Sequence, residues 1–184
     1  DYERHAQARL DPAVWAYIPG AGADGITRGA NRPRLDAIRL SSRLFSDLGS
    51  ASTATTLLGL SLEAPILVAP MAFHALAHRA GEVATALGAG ARRAVLTGSM
   101  QASVELEAIA RQAHAPLWFQ LYMHHGRDAT LALARRAEAA GYMALVVTAD
   151  APVSGVRDAE RRAGFALPAG IGAVNLAGVP ATVS

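Results

Sequence analysis

The sequence contains no cysteine and carries little net charge. Without cysteine, neither a disulfide framework nor thiolate metal ligands can form, and a reducing cytoplasm is the default expectation. The 17 basic and 15 acidic side chains leave a formal charge of +2. No basic stripe is visible, so a nucleic-acid partner is not expected. Neither a secretory signal nor an apolar run of the roughly 20 residues needed to span a membrane is recognised.

The chain contains enough apolar residues to form a hydrophobic core, since they make up 52% of its 184 residues. Four short apolar runs, 64–70, 94–99, 116–122 and 144–150, predict strands buried on both faces. Helical spacing fills the intervals 81–93, 103–113 and 127–140, with Ser103 at the start of the second helix and Gly141 at the C-cap of the third. This alternation predicts right-handed βαβ units and a parallel sheet.

The flanking segments complete the organisation. Before the first predicted strand, 11–17 and 27–38 are expected to be helical, with a Gly-rich turn between them. The final stretch, 164–184, has no charged residue and no period, and is predicted to form a flexible loop or lid. At most four βα units are present, whereas a closed barrel needs eight in about 250 residues. The fold is therefore predicted to be half of a barrel or a doubly wound sheet, although no G-x-G-x-x-G follows a strand.

Polar side chains recur at the carboxyl ends of the predicted strands, where a parallel barrel carries its site. Thr97, Gln120 and Thr148 fit either a ligand with several donors and acceptors or local backbone groups that need partners. Tyr122 fits a core aromatic with its hydroxyl at the rim as well as a site residue. Arg157, in the loop after the fourth strand, is either a surface charge or a bidentate carboxylate ligand.

The histidines do not predict a metal centre or a hydrolytic triad. His74 and His78 are four residues apart but have no evident third ligand. The side chains of the adjacent pair His124 and His125 are expected to diverge. No histidine is placed by sequence beside both a nucleophile and an acid.

Four of these segments resemble the FMN-dependent 2-hydroxy-acid oxidase and dehydrogenase family, which includes glycolate oxidase, lactate oxidase and mandelate dehydrogenase. The first motif is A-P-M-A at 69–72, followed by A-H at 77–78 and G-E at 81–82. The second is F-Q-L-Y at 119–122, and the third is T-A-D-A-P at 148–152, followed by R-D at 157–158 and F-A-L-P at 165–168. The fourth is the region from Tyr17 to Asn31-Arg32. These motifs follow in colinear order over essentially the whole chain. The resemblance implies a (β/α)8 TIM barrel, of which this chain supplies N-terminal helices and about the first four βα units.

The resemblance also implies FMN as the cofactor and an L-2-hydroxy acid as the substrate. It implies that the flavin's reactive edge runs along Pro70, Met71 and Ala72, and that Thr97, Gln120 and Thr148 hydrogen-bond the isoalloxazine. Tyr17 and Arg157 would hold the substrate carboxylate. Tyr122 would act catalytically by hydrogen-bonding the 2-hydroxyl or the oxyanion that develops there.

Two departures from the family pattern bear on specificity. Ser99 stands where glycolate-selective relatives carry a bulky Trp, so the pocket is expected to admit lactate- or mandelate-like side chains. Met71 replaces a more usual Thr or small residue beside flavin N5. The electron acceptor, oxygen or a quinone or cytochrome, is left open.

The family's catalytic His in H-G-x-R, its Lys near flavin N1, a second Arg and its phosphate-binding loops do not occur in 1–184. The chain is therefore expected to be the N-terminal part of a single FMN-binding domain that forms a homo-oligomer, commonly a tetramer in relatives. Membrane contact through 164–184 is less favoured than a plain lid. Two alternatives stay open: another FMN-binding barrel, such as a type 2 isopentenyl diphosphate isomerase, and a non-catalytic half-barrel.

Overall fold

The computed structural model describes residues 2–123, 127–150 and 155–178. The chain groups into two compact units, a first unit of Asp1–Ser52 with Ser154–Ala166 and a second unit of Thr53–Val153 with Leu167–Ser184. The histidine pair at 124–125 and the proline motif at 151–152 lie outside the described residues. The expectation of one FMN-binding domain stays a prediction.

The described elements follow one another as three helices, a hairpin and then alternating helices and strands. In chain order they are α1 (Tyr2–Gln7), α2 (Pro12–Tyr17), α3 (Ile26–Asp36), β1 (Thr55–Leu57), β2 (Leu60–Leu62), α4 (Gly81–Ala91), β3 (Leu96–Ser99), α5 (Leu106–Gln112), β4 (Leu117–Tyr122), α6 (Arg127–Ala139), β5 (Ala144–Thr148) and α7 (Asp158–Arg162). Two short 3₁₀ helices, His74–Leu76 and Val174–Leu176, lie in the second unit. Sequence patterns predicted α2 to α6 and β3 to β5 within a few residues, but not α1, α7 or the β1–β2 hairpin.

The second unit is built on a parallel sheet in the order β3-β4-β5. Ser99 pairs with Gln120, and Tyr122 pairs with Thr148, so the carboxyl ends of the three strands lie at one edge. Helices α5 and α6 make the connections between consecutive strands. These are the predicted βαβ units, and the partial-barrel fold class expected from the sequence is confirmed.

The first predicted strand, 64–70, is an exception. Only Val68 pairs with the sheet, through a parallel bridge to Leu96. Pro65 and Pro70 have no N–H to give to a ladder, and the N–H of Ile66 donates to the Ala64 carbonyl within a tight bend. The prediction of a strand over the whole segment was therefore wrong.

The two faces of the sheet differ in what covers them. Leu96, Leu117, Phe119 and Leu121 pack under the helices in the main core, together with residues of α4, α5 and α6. The opposite face carries Trp118, which packs with Val95 and with Leu62 of the hairpin. Toward the carboxyl ends this second face becomes polar.

Strand β5 does not match the expectation of burial on both faces. Leu145 and Val147 leave 48% and 51% of their surface exposed. These side chains lie on the helix-facing side of the sheet by their alternation with Ala144 and Val146. That side of β5 has no complete cover within the described residues, which is why the prediction failed there.

The end of α6 and the start of α5 test two further predictions. Gly141 ends α6 with φ +92°, and the N–H groups of Gly141 and Tyr142 donate to the carbonyls of Glu138 and Ala137, as the predicted glycine C-cap requires. Helix α5 begins later than predicted, with Glu105 rather than Ser103 preceding it. Ser103 was wrongly placed because its hydroxyl serves a different segment, described below.

Two glycines inside α4 differ in how closely they are packed. At Gly90 an added Cβ would lie 3.2 Å from Cβ of His114, whereas Gly88 has open space around it.

In the 164–184 stretch, Asn175 is buried and its amide bonds the Leu106 N–H and the Val104 carbonyl. Whether the stretch as a whole acts as a lid stays a prediction, since its last six residues lie outside the described part.

The first unit has little core of its own. Asp11 caps α2 by accepting from the Ala13 N–H at 2.8 Å, and Val14 is the one buried apolar side chain of this unit among the described residues. The N–H of Ala23 donates to the Val156 carbonyl, which joins the N-terminal turn to the loop before α7.

No helix within the described ranges is both long and apolar enough to cross a membrane.

Candidate functional site

A row of polar side chains crosses the carboxyl ends of the second unit's three strands. The Ser99 hydroxyl donates to Gln120 Oε1 at 3.2 Å, and Gln120 Nε2 donates to Thr148 Oγ1 at 2.9 Å. The N–H of Gln101 donates in turn to Ser99 Oγ at 3.1 Å. The three side chains therefore order one another. Within the described ranges, one amide N–H of Gln120 and the hydroxyl proton of Thr148 have no acceptor.

Thr97 and Tyr122 belong to the same face of the sheet as this row. Strand alternation puts Thr97 two residues below Ser99, and register pairs Tyr122 with Thr148. Thr97 is buried, whereas Tyr122 is partly open to solvent at the strand end. The structure thus brings together on one face of the sheet Ser99 and the four other strand-end residues, all of which were singled out from sequence.

The segment Pro70–Met71–Ala72 follows Val68 without regular structure. Within the part of the chain that the structure describes, the N–H groups of Met71 and Ala72 donate to no protein acceptor. Pro70 has no N–H at all. Two backbone donors without a described acceptor, in the segment that follows the Val68 bridge to the sheet, suit a planar ligand whose edge carries several acceptors.

This segment is anchored on its far side by a buried network. His74 is buried, its Nδ1 lies 2.8 Å from Thr85 Oγ1, and its main-chain N–H donates to Glu82 Oε1 at 3.0 Å. Burial lowers the pKa of the His74 imidazole below its ordinary value, and the nearby Glu82 carboxylate only partly offsets that effect. The ring is thus held neutral near pH 7, which suits a fixed hydrogen-bonding role.

The first unit gathers a second set of predicted site residues. The Tyr17 ring stacks on Phe165 with centroids 4.5 Å apart and planes 11° apart, and the Arg157 guanidinium carbon lies 5.0 Å from the Tyr17 ring centroid. Arg157 Nη2 also donates to the Tyr17 carbonyl, across 140 residues of sequence. Tyr17 and Arg157, predicted to act on one carboxylate, are therefore neighbours.

Arg157 also forms an ion pair with Glu160, three residues along α7. The two charged groups are close but are not aligned for a hydrogen bond. As a result, Arg157 Nε and Glu160 Oε2 are both buried without a hydrogen-bond partner among the described residues. Gly20 makes room for the arginine, because a Cβ there would lie 2.8 Å from Arg157 Nη2 and 2.7 Å from the Ala16 carbonyl oxygen. The guanidinium is thus placed by several contacts while keeping donors for an anion.

Sequence reasoning missed three contributors: Phe165, Glu160 and the pair of Glu82 with Ser103. Phe165 and Glu82 stand in motifs that were noticed, but a motif does not reveal what a side chain touches. Ser103 was assigned to a helix start because Ser is common there. The one available signal for Glu82 in the sequence was an acidic residue at the start of an otherwise apolar helix.

A cavity of about 450 Å³ lies between the 68–71 segment, the first 3₁₀ helix and α4. It is mostly apolar and is lined by Val68, Ala69, Pro70, Met71, His74, Ala77, His78, Gly81, Ala84 and Thr85. A planar ring with polar edges needs several fixed donors, and the strand-end row supplies more of them. We therefore take the strand-end face, not this cavity, as the candidate site.

Comparisons with known proteins agree on one family. The family model described as FMN-dependent dehydrogenase matches residues 6–183. L-lactate oxidase of Nostoc sp. is 39% identical over 180 residues, which is 96% of this chain and 49% of that protein. 2-Hydroxyacid oxidase 2 of Rattus norvegicus is 39% identical over 172 residues, 93% of this chain and 49% of its own length.

Among solved structures, mandelate oxidase crystallised with 3,3-difluoro-2-hydroxy-3-phenylpropionic acid superposes with a TM-score of 0.91 at 34% identity. The match covers 99% of this chain and 54% of that one. The chain thus spans about half the length of the relatives that it matches.

Proposed function

Because the chain belongs to the FMN-dependent dehydrogenase family, we propose that the protein containing it oxidises an L-2-hydroxy acid to the 2-oxo acid, with FMN as the first electron acceptor. The observation that carries the proposal is the presence of two distinct sets of side chains within one chain. One set, at the strand ends of the second unit, suits a flavin. The other, around Arg157 in the first unit, suits a carboxylate.

The donor set of the second unit fits the flavin ring. Gln120 and Thr148 each retain a donor after bonding one another, and the Met71 and Ala72 N–H groups are free of protein acceptors among the described residues. We assign Thr97, Gln120 and Thr148 to the isoalloxazine edge and the backbone of 70–72 to its reactive side. FMN supplies the redox chemistry when bound, and these residues orient it.

Arg157 and Tyr17 are proposed to hold the substrate carboxylate. A guanidinium binds a carboxylate through parallel hydrogen bonds, and its fixed charge does not depend on pH in the working range. The stack of Tyr17 on Phe165 limits how far the ring can turn. Glu160 faces the same guanidinium, so an incoming carboxylate has to share it.

Tyr122 is proposed to hydrogen-bond the 2-hydroxyl oxygen and to stabilise negative charge that develops there. Its side chain is partly exposed at the end of β4, and its backbone is held in register with Thr148. The general base is assigned to a histidine outside residues 1–184, in keeping with the family resemblance.

Ser99 is proposed to favour larger substrates than glycolate. It is a small side chain at a strand end, and its hydroxyl is engaged with Gln120 rather than projecting as bulk. The names of the relatives, oxidases of lactate, 2-hydroxy acids and mandelate, support both this substrate range and oxygen as the final acceptor. A homo-oligomer is proposed on family analogy alone.

The proposal is tested by mixing the purified full-length protein with L-lactate, and separately L-mandelate, without oxygen while recording the visible flavin absorbance. We expect rapid bleaching by the L-acids and none by D-lactate, which presents its α-hydrogen on the wrong side. Admitting oxygen should restore the colour.

Two outcomes would contradict the proposal. A yellow protein that no 2-hydroxy acid bleaches would remove the substrate assignment while leaving the cofactor. A colourless protein that cannot be reconstituted with FMN would favour a non-catalytic role.

A further inference from the structure

Glu82 is a buried carboxylate that none of the roles above uses. Only 2% of its surface is exposed. Its Oε1 accepts the N–H of His74 at 3.0 Å and that of Ser103 at 2.9 Å, and the Ser103 hydroxyl lies 2.9 Å from Oε2. A buried carboxylate is costly unless donors surround it, and here they do. Such a group needs a structural or functional reason.

Its contacts converge on the start of the 3₁₀ helix His74–Leu76. The N–H groups at a helix start have no partner within the helix. Glu82 takes the N–H of His74, and Ser103 Oγ takes that of Ala75 at 3.0 Å. The carboxylate and hydroxyl therefore cap this helix from two other segments of the chain, the start of α4 and the loop before α5.

The cap fixes the turn that leads out of segment 70–72. Phe73 has φ +56°, in the left-handed region that a phenylalanine seldom adopts. Its N–H donates to the Gln101 carbonyl at 3.3 Å. A strained residue persists only when its surroundings determine it, so the capping contacts hold the Phe73 conformation in place.

The His74 side chain ties the same 3₁₀ helix to α4. Its Nδ1 lies 2.8 Å from Thr85 Oγ1, and its main-chain N–H is held by Glu82. Both contacts lie at the first residue of the 3₁₀ helix, which follows the stretch whose N–H groups are assigned to the flavin.

We propose that Glu82, with Ser103 and His74, is a positioning device that sets the main chain of Met71 and Ala72 against the reactive edge of FMN. Glu82 and Ser103 touch neither flavin nor substrate, and act through the backbone turn at Phe73. The proposal rests on the function proposed above. It identifies three side chains that tune flavin reactivity from outside the site.

The test compares Ser103→Ala and Glu82→Gln in the full-length FMN protein with two matched controls. Ser61→Ala, at an exposed position of β2, and Glu107→Gln, on α5, make the same chemical changes away from 70–76. The measurements are the midpoint potential of bound FMN, the rate of flavin reduction, and amide hydrogen exchange at His74 and Ala75 in the substrate-free protein.

We expect faster exchange at both amides and a shifted potential in the two test variants only. The flavin reduction rate at saturating substrate should fall about tenfold to a hundredfold, since a small misplacement of reacting groups has effects of that size. KM should stay within about twofold, because the carboxylate contacts are untouched.

A merely structural cap would lower the thermal midpoint and speed exchange but leave the potential and the reduction rate at control values, which would overturn the proposal. If Glu82→Gln does not fold, Ser103→Ala decides, since it keeps the carboxylate and its two backbone bonds. A wild-type protein that 2-hydroxy acids do not reduce refutes the proposed function instead, and the potential and exchange data still decide the positioning role.

Discussion

In the second unit, buried apolar side chains from β3, β4 and three helices form one continuous core, whereas in the first unit Val14 is the only buried apolar side chain among the described residues. The proposed flavin-binding residues sit on the sheet of the second unit, ordered by strand register. The proposed carboxylate-binding residues of the first unit are ordered instead by a few directed contacts around Arg157.

This difference predicts how each set of residues tolerates amino-acid substitutions. A position held by a packed sheet is over-determined, so single surface substitutions should disturb it little. A position held by one stack, one ion pair and one close backbone approach depends on each of them. Substitutions in the two units should therefore differ both in the type of contact that they remove and in the size of their effect on stability.

The largest expected effect comes from the core of the second unit. Phe119 is 1% exposed and meets Tyr142 edge-on with centroids 5.4 Å apart. Phe119→Ala should lower the free energy of unfolding by about 3–5 kcal/mol, from lost burial and the cavity left behind. Urea titration of the full-length protein measures it.

The matched control is Phe45→Ala in the first unit, where the side chain is fully exposed. The same substitution there should change the free energy of unfolding by less than about 0.5 kcal/mol. Similar losses at both positions would contradict the contrast between the units.

A pair of glycine substitutions should differ in sign. Gly20→Ala would press a methyl group against the Ala16 carbonyl oxygen and Arg157 Nη2, and should cost about 1–3 kcal/mol of stability, as overpacking does. Gly88→Ala, in α4 with open space around it, should instead stabilise by about 0.5–1 kcal/mol. Thermal midpoints of the two variants check the signs, and a neutral Gly20→Ala would show that the first unit is looser than described.

The smallest effect concerns the pair of Glu107 and Arg136. The hydrogen bonds from Arg136 lower the pKa of Glu107 below its ordinary value. A lowered folded-state pKa gives stability that is present above the unfolded pKa and is lost as pH falls through the folded pKa. Because both side chains are partly exposed, the gain should be below about 1 kcal/mol.

The check is the free energy of unfolding from pH 7 to pH 3 for the wild type and Glu107→Gln. The difference should be constant near neutrality and shrink below about pH 4.5, the ordinary value for a glutamate. In an Arg136→Gln background the difference near neutrality should fall, leaving only the smaller effect of the nearby Arg111 charge. A difference that grows on acidification would have the wrong sign.

Much of the second unit could be predicted from sequence, because its elements follow local rules. Apolar runs between helical segments gave β3, β4 and β5, and Gly141 marked the end of α6. Failures occurred where tertiary context decides. Proline-bounded 64–70 pairs only at Val68, and one side of β5 stays exposed.

The first unit shows more clearly which contacts sequence patterns do not predict. Tyr17 and Arg157 were paired through family resemblance, but their contact spans 140 residues, and no local pattern encodes it. Glu160 and Phe165 complete that cluster without any sequence signal for the contacts they make. The Glu82 network escaped for the same reason, since its partners come from three separate segments.

The central claim is that the second unit holds the flavin and the first unit holds the substrate carboxylate. It is tested by measuring FMN affinity and the KM for L-lactate in Arg157→Lys and Gln120→Leu of the full-length protein. The account predicts that Arg157→Lys raises KM about tenfold or more, since the forked guanidinium is lost, and leaves FMN affinity unchanged. Gln120→Leu should weaken FMN binding and alter the flavin spectrum with little change in KM. The reverse assignment, or both variants affecting both quantities alike, would contradict it.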